Sequence, residues 1–302
     1  MKPTPSKKRG CGYWIRLLSV GLVGGVSLAL IGYEALYIDG LTRPAPSAIC
    51  CVTPRDQGFE YEKASFVSDD GVTLAGWYIP SRNQAAVILL HGYGANRTET
   101  LDRVAALARH GYGVLLYDLR GHGESSPVMR TFGWLDVKDV SAALAFLQKR
   151  PDVDSTRVGI LGFSIGGQIA IRAAAQMDTI KAVVGDDPGF VKIEDAPPLD
   201  SLFERIVYGV NWLDARGVEW RTGVTAPPGI VEVIGRISPR PLLLIATGQD
   251  MGRRLIRHFY ERAKEPKELW EIPETYHGGQ FAARPEEYEK RVVAFFDEAL
   301  SE

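Results

Sequence analysis

A lone serine stands between glycines in Gly162-Phe163-Ser164-Ile165-Gly166, where the apolar run VGIL gives way to the alanine-rich IGGQIAIRAAA. A strand, then G-x-S-x-G, then a helix demands a turn so tight that the serine is forced outward. Gly162 and Gly166 leave room where a Cβ would collide with neighbouring backbone. At a helix N-terminus the hydroxyl also meets free N–H groups and a dipole that favours developing negative charge. The chemistry that fits is nucleophilic attack on a carbonyl, for which a serine hydroxyl needs a base beside it. Of the five histidines, His277 in WEIPETYHGGQF follows a strand-like run and precedes the last helix-like one. The partners of such a serine follow it in the order acid, then histidine, and His277 fits the last place. The acid should follow a strand between the two. Asp250, closing PLLLIATGQD, is the expected carboxylate; Asp186 or Asp187, after IKAVVG, are its rivals one strand earlier.

Two glycine-bearing stretches complete the set. In LLHGYGAN the glycines would let the Tyr93 backbone N–H face the site, where with the Ile165 N–H it forms an oxyanion hole. YDLRGHGESS brings Arg120, His122 and Glu124 to turn positions, and is read as a brace for the neighbouring turns without a catalytic part. Metal chemistry has no ligand pattern to rest on. Cys11, Cys50 and Cys51 form neither a CxxC nor a Cys/His spacing, and adjacent Cys50 and Cys51 could bridge only under strain. No cofactor or metal is expected.

The elements that must position these residues alternate. YEKASFVS and VTLAGWYIP flank Asp69-Asp70-Gly71 as a hairpin. AAVILLHG and YGVLLYDLRG are continuous apolar runs, as in strands covered on both faces, with the helical period of TETLDRVAALARHG between them. Helix-like WLDVKDVSAALAFLQKR, strand-like RVGILGF, helix-like IGGQIAIRAAAQ and strand-like IKAVVGDD follow. PLLLIATG, RLIRHFYERA, KELWEIPE and PEEYEKRVVAFFDEAL end the series. Such alternation means an α/β sheet with helices on both faces. Residues 190–239, rich in Pro, Gly and Trp, lack a strand pattern and read as a lid insertion at the carboxyl end of the sheet. Phe203, Ile206, Val207, Tyr208, Trp212 and Trp220 in it would line an apolar acyl pocket or form the lid's own small core.

The chain has 302 residues, 45% hydrophobic and 24% charged, with a formal net charge of −2. That balance excludes disorder and offers no basic excess for nucleic acid. The N-terminus differs: from Leu17 to Tyr33 there is no charge, with Tyr13 and Trp14 before the run and Tyr33 and Tyr37 at and beyond its end. Residues 14–38 are expected to span a membrane, the apolar run being longer than the core of a cleaved signal peptide. Lys2, Lys7, Lys8, Arg9 and Arg16 precede it while Glu34 and Asp39 follow, which puts residues 1–13 in the cytoplasm and the rest outside. Residues 39–58, with three prolines and no periodicity, read as a loose tether to a domain over 59–302.

Taken in order, HGYG, D-L-R-G-H-G-E-S, G-F-S-I-G-G, a late aspartate and a late histidine resemble the α/β-hydrolase superfamily over roughly residues 59–300. The nearest likeness is to the serine-hydrolase branch with S33-type aminopeptidases, monoacylglycerol lipases and membrane-anchored Bem46-like proteins. The resemblance implies an α/β-hydrolase fold with an eight-stranded, mostly parallel sheet, hydrolysis of an ester, thioester or amide, and no cofactor. This chain departs from it at the acid, since Asp250 comes two residues after Gly248 and runs straight into a helix. The reading is of a membrane-anchored serine hydrolase acting on a small-molecule, lipid or peptide substrate. The alternatives are a non-catalytic binding protein on the same scaffold and a perhydrolase-type activity through the same triad.

Overall fold

The computed structural model describes residues 11–248 and 250–301, with 11–17, 23 and 250 described by backbone alone. Eight strands form one sheet: β1 (Glu62–Val67), β2 (Thr73–Ile79), β3 (Ala86–Leu90), β4 (Gly113–Tyr117), β5 (Val158–Phe163), β6 (Ile180–Asp186), β7 (Leu242–Thr247) and β8 (Lys267–Ile272). Across the sheet they run β8-β7-β6-β5-β3-β4-β2-β1. The first two pair antiparallel around the Asp69-Asp70-Gly71 turn, β2 pairs antiparallel with β4, and all other pairs are parallel. Every residue of β3, β4, β5 and β7 is buried, which is why these strands read as unbroken apolar runs instead of alternating ones.

Helix α2 (Leu101–Arg109) and, after the short α8 (Gln280–Ala283), α9 (Pro285–Ala299) cover one face, α3 (Val137–Leu147), α4 (Ile165–Ala174) and α7 (Asp250–Arg262) the other. Two apolar clusters result, one around Ile88, Leu115, Ile160, Ile169 and Phe259, the other around Val87, Leu107, Leu161, Ile245 and Phe296. Burying such side chains, at about 25 cal/mol per Å² of apolar surface, holds the sheet between its layers. Residues 190–239 contain no strand; α5 (Leu202–Thr222) and α6 (Ile230–Val233) lie within them. Ser201 caps α5 by accepting from the Glu204 N–H at 3.1 Å while Glu204 accepts from the Ser201 N–H, and Gly223 ends it at φ +71°.

The N-terminal helix α1 runs from Cys11 to Thr42. Leu18–Thr42 is long and apolar enough to cross a membrane, and its apolar flank is exposed. Lys2, Lys7, Lys8 and Arg9, on which the expected orientation rests, lie outside the described residues. The start of the expected tether is docked, however. Arg130 donates to the carbonyls of Arg43 at 2.6 Å and Gly40 at 2.8 Å, and Asp39 pairs with Arg221 at 3.2 Å. Ala45 and Pro46 then run parallel to His122 and Gly123. Backbone hydrogen bonds override the weak local pattern here, and the helix ends against the domain. Cys50 and Cys51 are exposed and unbridged.

Candidate active site

β5 delivers Ser164 to the first turn of α4 with φ +53° and ψ −117°, a strained backbone for a residue with a Cβ. The glycines explain how the turn closes. A Cβ on Gly162 would overlap the Gly166 carbonyl, one on Gly166 would overlap Leu90 O, and one on Gly167 would stand 2.9 Å from Pro188 Cβ. The elbow is also tied to the next strand, because the Ser164 N–H donates to Asp186 O at 3.0 Å.

Ser164 Oγ lies 2.9 Å from His277 Nε2. On the other side of the ring, Nδ1 lies 2.6 Å from Asp187 Oδ2. That oxygen also accepts from the Thr247 hydroxyl at the end of β7. The Asp187 N–H donates to Ile245 O at 2.9 Å, which pins the residue between β6 and β7 at φ +50°. Asp187 is almost wholly buried while the His277 side chain is 56% exposed, so the carboxylate sits behind an imidazole at the mouth. The Asp187 hydrogen bond is the first cause of a raised His277 pKa, against burial, which lowers it. Phe163 packs on the ring at a centroid distance of 4.9 Å.

The carboxylate at the imidazole is thus Asp187, which corrects the expectation for Asp250. Asp250 is the first residue of α7, and its side chain lies outside the described residues. With Nε2 facing the serine, Nδ1 has one bond to make, and Asp187 takes it. Asp186 is a different case. Fully buried, it accepts from Arg103 at 2.7 Å, Tyr288 at 2.8 Å and Gln280 at 2.5 Å, on the opposite face of the sheet.

Ile165 is the first residue of α4, so its N–H has no intrahelical acceptor. The Tyr93 N–H makes no hydrogen bond among the described residues. The turn that presents it is braced by two buried histidines. His91 accepts from the Leu119 N–H at 2.9 Å, and His122 accepts from the Gly94 N–H at 3.2 Å. Burial pushes both imidazoles down to about 4, the charge of each opposing the other's in the case of His122. Arg120 meets Asp139 and Asp70 at 2.8 Å each, and Glu124 pairs with Arg97, away from the serine. Tyr93 has a further tie: its hydroxyl donates to Leu41 O at the end of α1, under the Arg130 guanidinium.

A cleft lined by Thr247, Met251, Gly252 and Tyr276 opens beside His277. A second, narrower one lies under α5 between Leu41, Phe132, Phe190, Val191 and Val218. Only Tyr208 of the lid residues named from sequence is buried. Phe203, Ile206, Trp212 and Trp220 face outward, so they form neither an acyl pocket nor a lid core. No cluster of metal-ligating side chains occurs among the described residues.

Known proteins carry the same arrangement of strands. The chain is similar to the uncharacterized protein YfhR of Escherichia coli K12, 28% identical over 255 residues that cover 80% of this chain and 82% of that protein. It is 29% identical to the thiohydrolase aneE of Aspergillus aculeatus over 132 residues, 42% of each chain. Among solved structures, the Pyrococcus furiosus esterase Pf2001 superposes with a TM-score of 0.69 at 27% identity, covering 86% of this chain and 99% of that one. The profile of the Alpha/beta hydrolase family matches residues 87–291, from β3 through the elbow and His277 into α9. On that match, which takes in more than half of the chain, the protein belongs to the alpha/beta hydrolase family.

Proposed function

We propose that this hydrolase is a membrane-anchored serine hydrolase that cleaves an ester, thioester or amide through an acyl-enzyme on Ser164. The observation that carries the reading is one continuous line of hydrogen bonds at a strained elbow: Ser164 Oγ, His277 Nε2, His277 Nδ1, Asp187 Oδ2. In the reaction Ser164 Oγ attacks the substrate carbonyl carbon as His277 Nε2 accepts its proton. Asp187 holds the tautomer with Nδ1–H and stabilises the imidazolium. The Tyr93 and Ile165 N–H groups receive the oxyanion. His277 returns the proton to the leaving group, and water repeats the sequence to free the acid. No step needs a metal or cofactor.

A non-catalytic role is disfavoured by the strain kept at Ser164, which binding alone does not require. The likeness to an esterase and to a thiohydrolase favours acyl oxygen or sulfur esters over peptides. The exposed apolar α1 supports anchoring, and the basic residues before it support a domain on the extracytoplasmic side. The test is pre-steady-state hydrolysis of p-nitrophenyl esters of rising chain length, beside aminoacyl amides. A burst of nitrophenol equal to the enzyme concentration, or a lag-free amide turnover lost in Ser164→Ala, supports the reading. Turnover of every substrate that survives Ser164→Ala overturns it.

A further inference from the structure

Apart from Trp212 at 42%, six large apolar side chains of α5 stand in solvent: Leu202 is 74% exposed, Phe203 68%, Ile206 56%, Val210 47%, Leu213 51% and Trp220 83%. At 100° per residue they fall within about 100° of arc, so they form one stripe along the helix. The opposite side carries buried Tyr208 and Val218 with Glu204 and Glu219. A stripe of this size is unusual on a surface that meets only water.

Its neighbour identifies what covers it. α1 packs against α5 through Asp39–Arg221, through Ile38, whose Cγ1 a Cβ on Gly217 would overlap at 2.6 Å, and through Glu34, which hydrogen-bonds Asp214. Stepping back along α1 from 39 to 38 to 34 steps back along α5 from 221 to 217 to 214. The two helices therefore run in the same direction, and the first half of α5 leaves α1 on the side where α1 becomes uniformly apolar. There α5 is held to α7 by Arg254, which pairs with Asp200 at 2.7 Å and with Glu204. A helix polar on one face and apolar on the other suits a boundary between the protein and lipid.

We infer that the apolar stripe of α5 rests in the bilayer crossed by α1, so that the site under α5 takes acyl esters dissolved in that membrane. This rests on the proposed hydrolase reading for the substrate and on α1 as the span. The narrow cleft between Leu41, Phe132 and Val218 lies beneath α5.

The experiment uses the full-length chain in phosphatidylcholine–phosphatidylglycerol vesicles. Two substrates are compared, water-soluble p-nitrophenyl acetate and p-nitrophenyl palmitate dissolved in the same vesicles. The triple variant Leu202→Ser, Val210→Ser, Leu213→Ser should lose about tenfold or more on the palmitate while acetate turnover stays within about twofold, three apolar burials being removed. Equal loss on both substrates, or no loss on either, overturns the substrate half. A fluorophore (NBD) on Val210→Cys, in a chain with Cys11, Cys50 and Cys51 changed to serine, reads the surface without any turnover. Blue-shifted emission quenched by spin-labelled lipid is expected; water-like emission overturns the inference. If no ester is turned over while the fluorophore reports lipid, the hydrolase reading fails, and with it the substrate half, while the surface assignment holds.

Discussion

Asp187 occupies a position with little freedom: β6 ends beside it, Pro188 follows, and Ile245 O and the Thr247 hydroxyl hold it from β7. Its hydrogen bond is the first cause of the raised His277 pKa, with its charge adding to it, and only a neutral imidazole can take the serine proton. Activity should therefore fall as pH drops through a value above the ordinary 6.5. Asp187→Asn removes the charge, so the acid limb of kcat/KM should move to lower pH while kcat falls by about 10³–10⁴. Asp250→Asn should leave both within a few-fold; a pH–rate profile of the two variants decides. The sequence named Asp187 as a rival and placed Asp250 first, since both follow strands and position along the chain cannot tell them apart. Which carboxylate meets the ring depends on the bend after β6, a backbone feature at φ +50° that no residue pattern announces. Ser164 and His277 were legible because the glycines of the elbow answer to backbone collisions, and those leave a fixed spacing.

At the scale of elements, the alternation of apolar runs foretold the strands and helices, because strands buried on both faces cannot hide polar residues. The loop after β3 was legible for the same kind of reason. His91 in it and His122 in the loop after β4 accept backbone N–H groups from Leu119 and Gly94, and protonation would break those bonds. With folded-state values of about 4 against an ordinary 6.5, each stays neutral in the folded protein. Their stabilisation is complete above about pH 6.5 and is lost as pH falls from there toward 4, by at most about 3 kcal/mol each. Urea unfolding at pH 7.5 and 5.0 should show a smaller acid loss for His122→Gln, whose amide oxygen can still accept from Gly94. Gly166→Ala belongs to this scale too: its Cβ would overlap Leu90 O, so the elbow should open, with turnover lost and several kcal/mol of stability with it.

For the whole molecule, the expectation of a loose tether gives way to a clamp. The end of α1 touches Tyr93 through Leu41 O and is gripped by Arg130, so the N-terminal helix reaches the loop proposed to hold the oxyanion. Prolines and the lack of periodicity in residues 41–58 hid this, because the docking is made by backbone carbonyls, which leave no mark in sequence. A chain starting at residue 34 keeps the clamp, and one starting at residue 48 loses it. In detergent, with the water-soluble acetate, the first should match the full-length kcat and the second should fall by about 10–100-fold, the scale set by a small displacement of a catalytic group. Equal kcat for both would mean that residues 34–47 only connect. The exposed stripe of α5 was likewise visible as apolar residues in the lid, yet which way they faced depended on α1 packing beside it.

The central claim is that Ser164 carries the acyl group, and the most direct measurement is peptide mass spectrometry of the full-length protein after a fluorophosphonate. A single adduct on the peptide holding Ser164, absent in Ser164→Ala and formed far more slowly in Asp187→Asn, is the predicted result. An adduct on another residue, or ester hydrolysis that continues with Ser164 unmodified, would contradict the account.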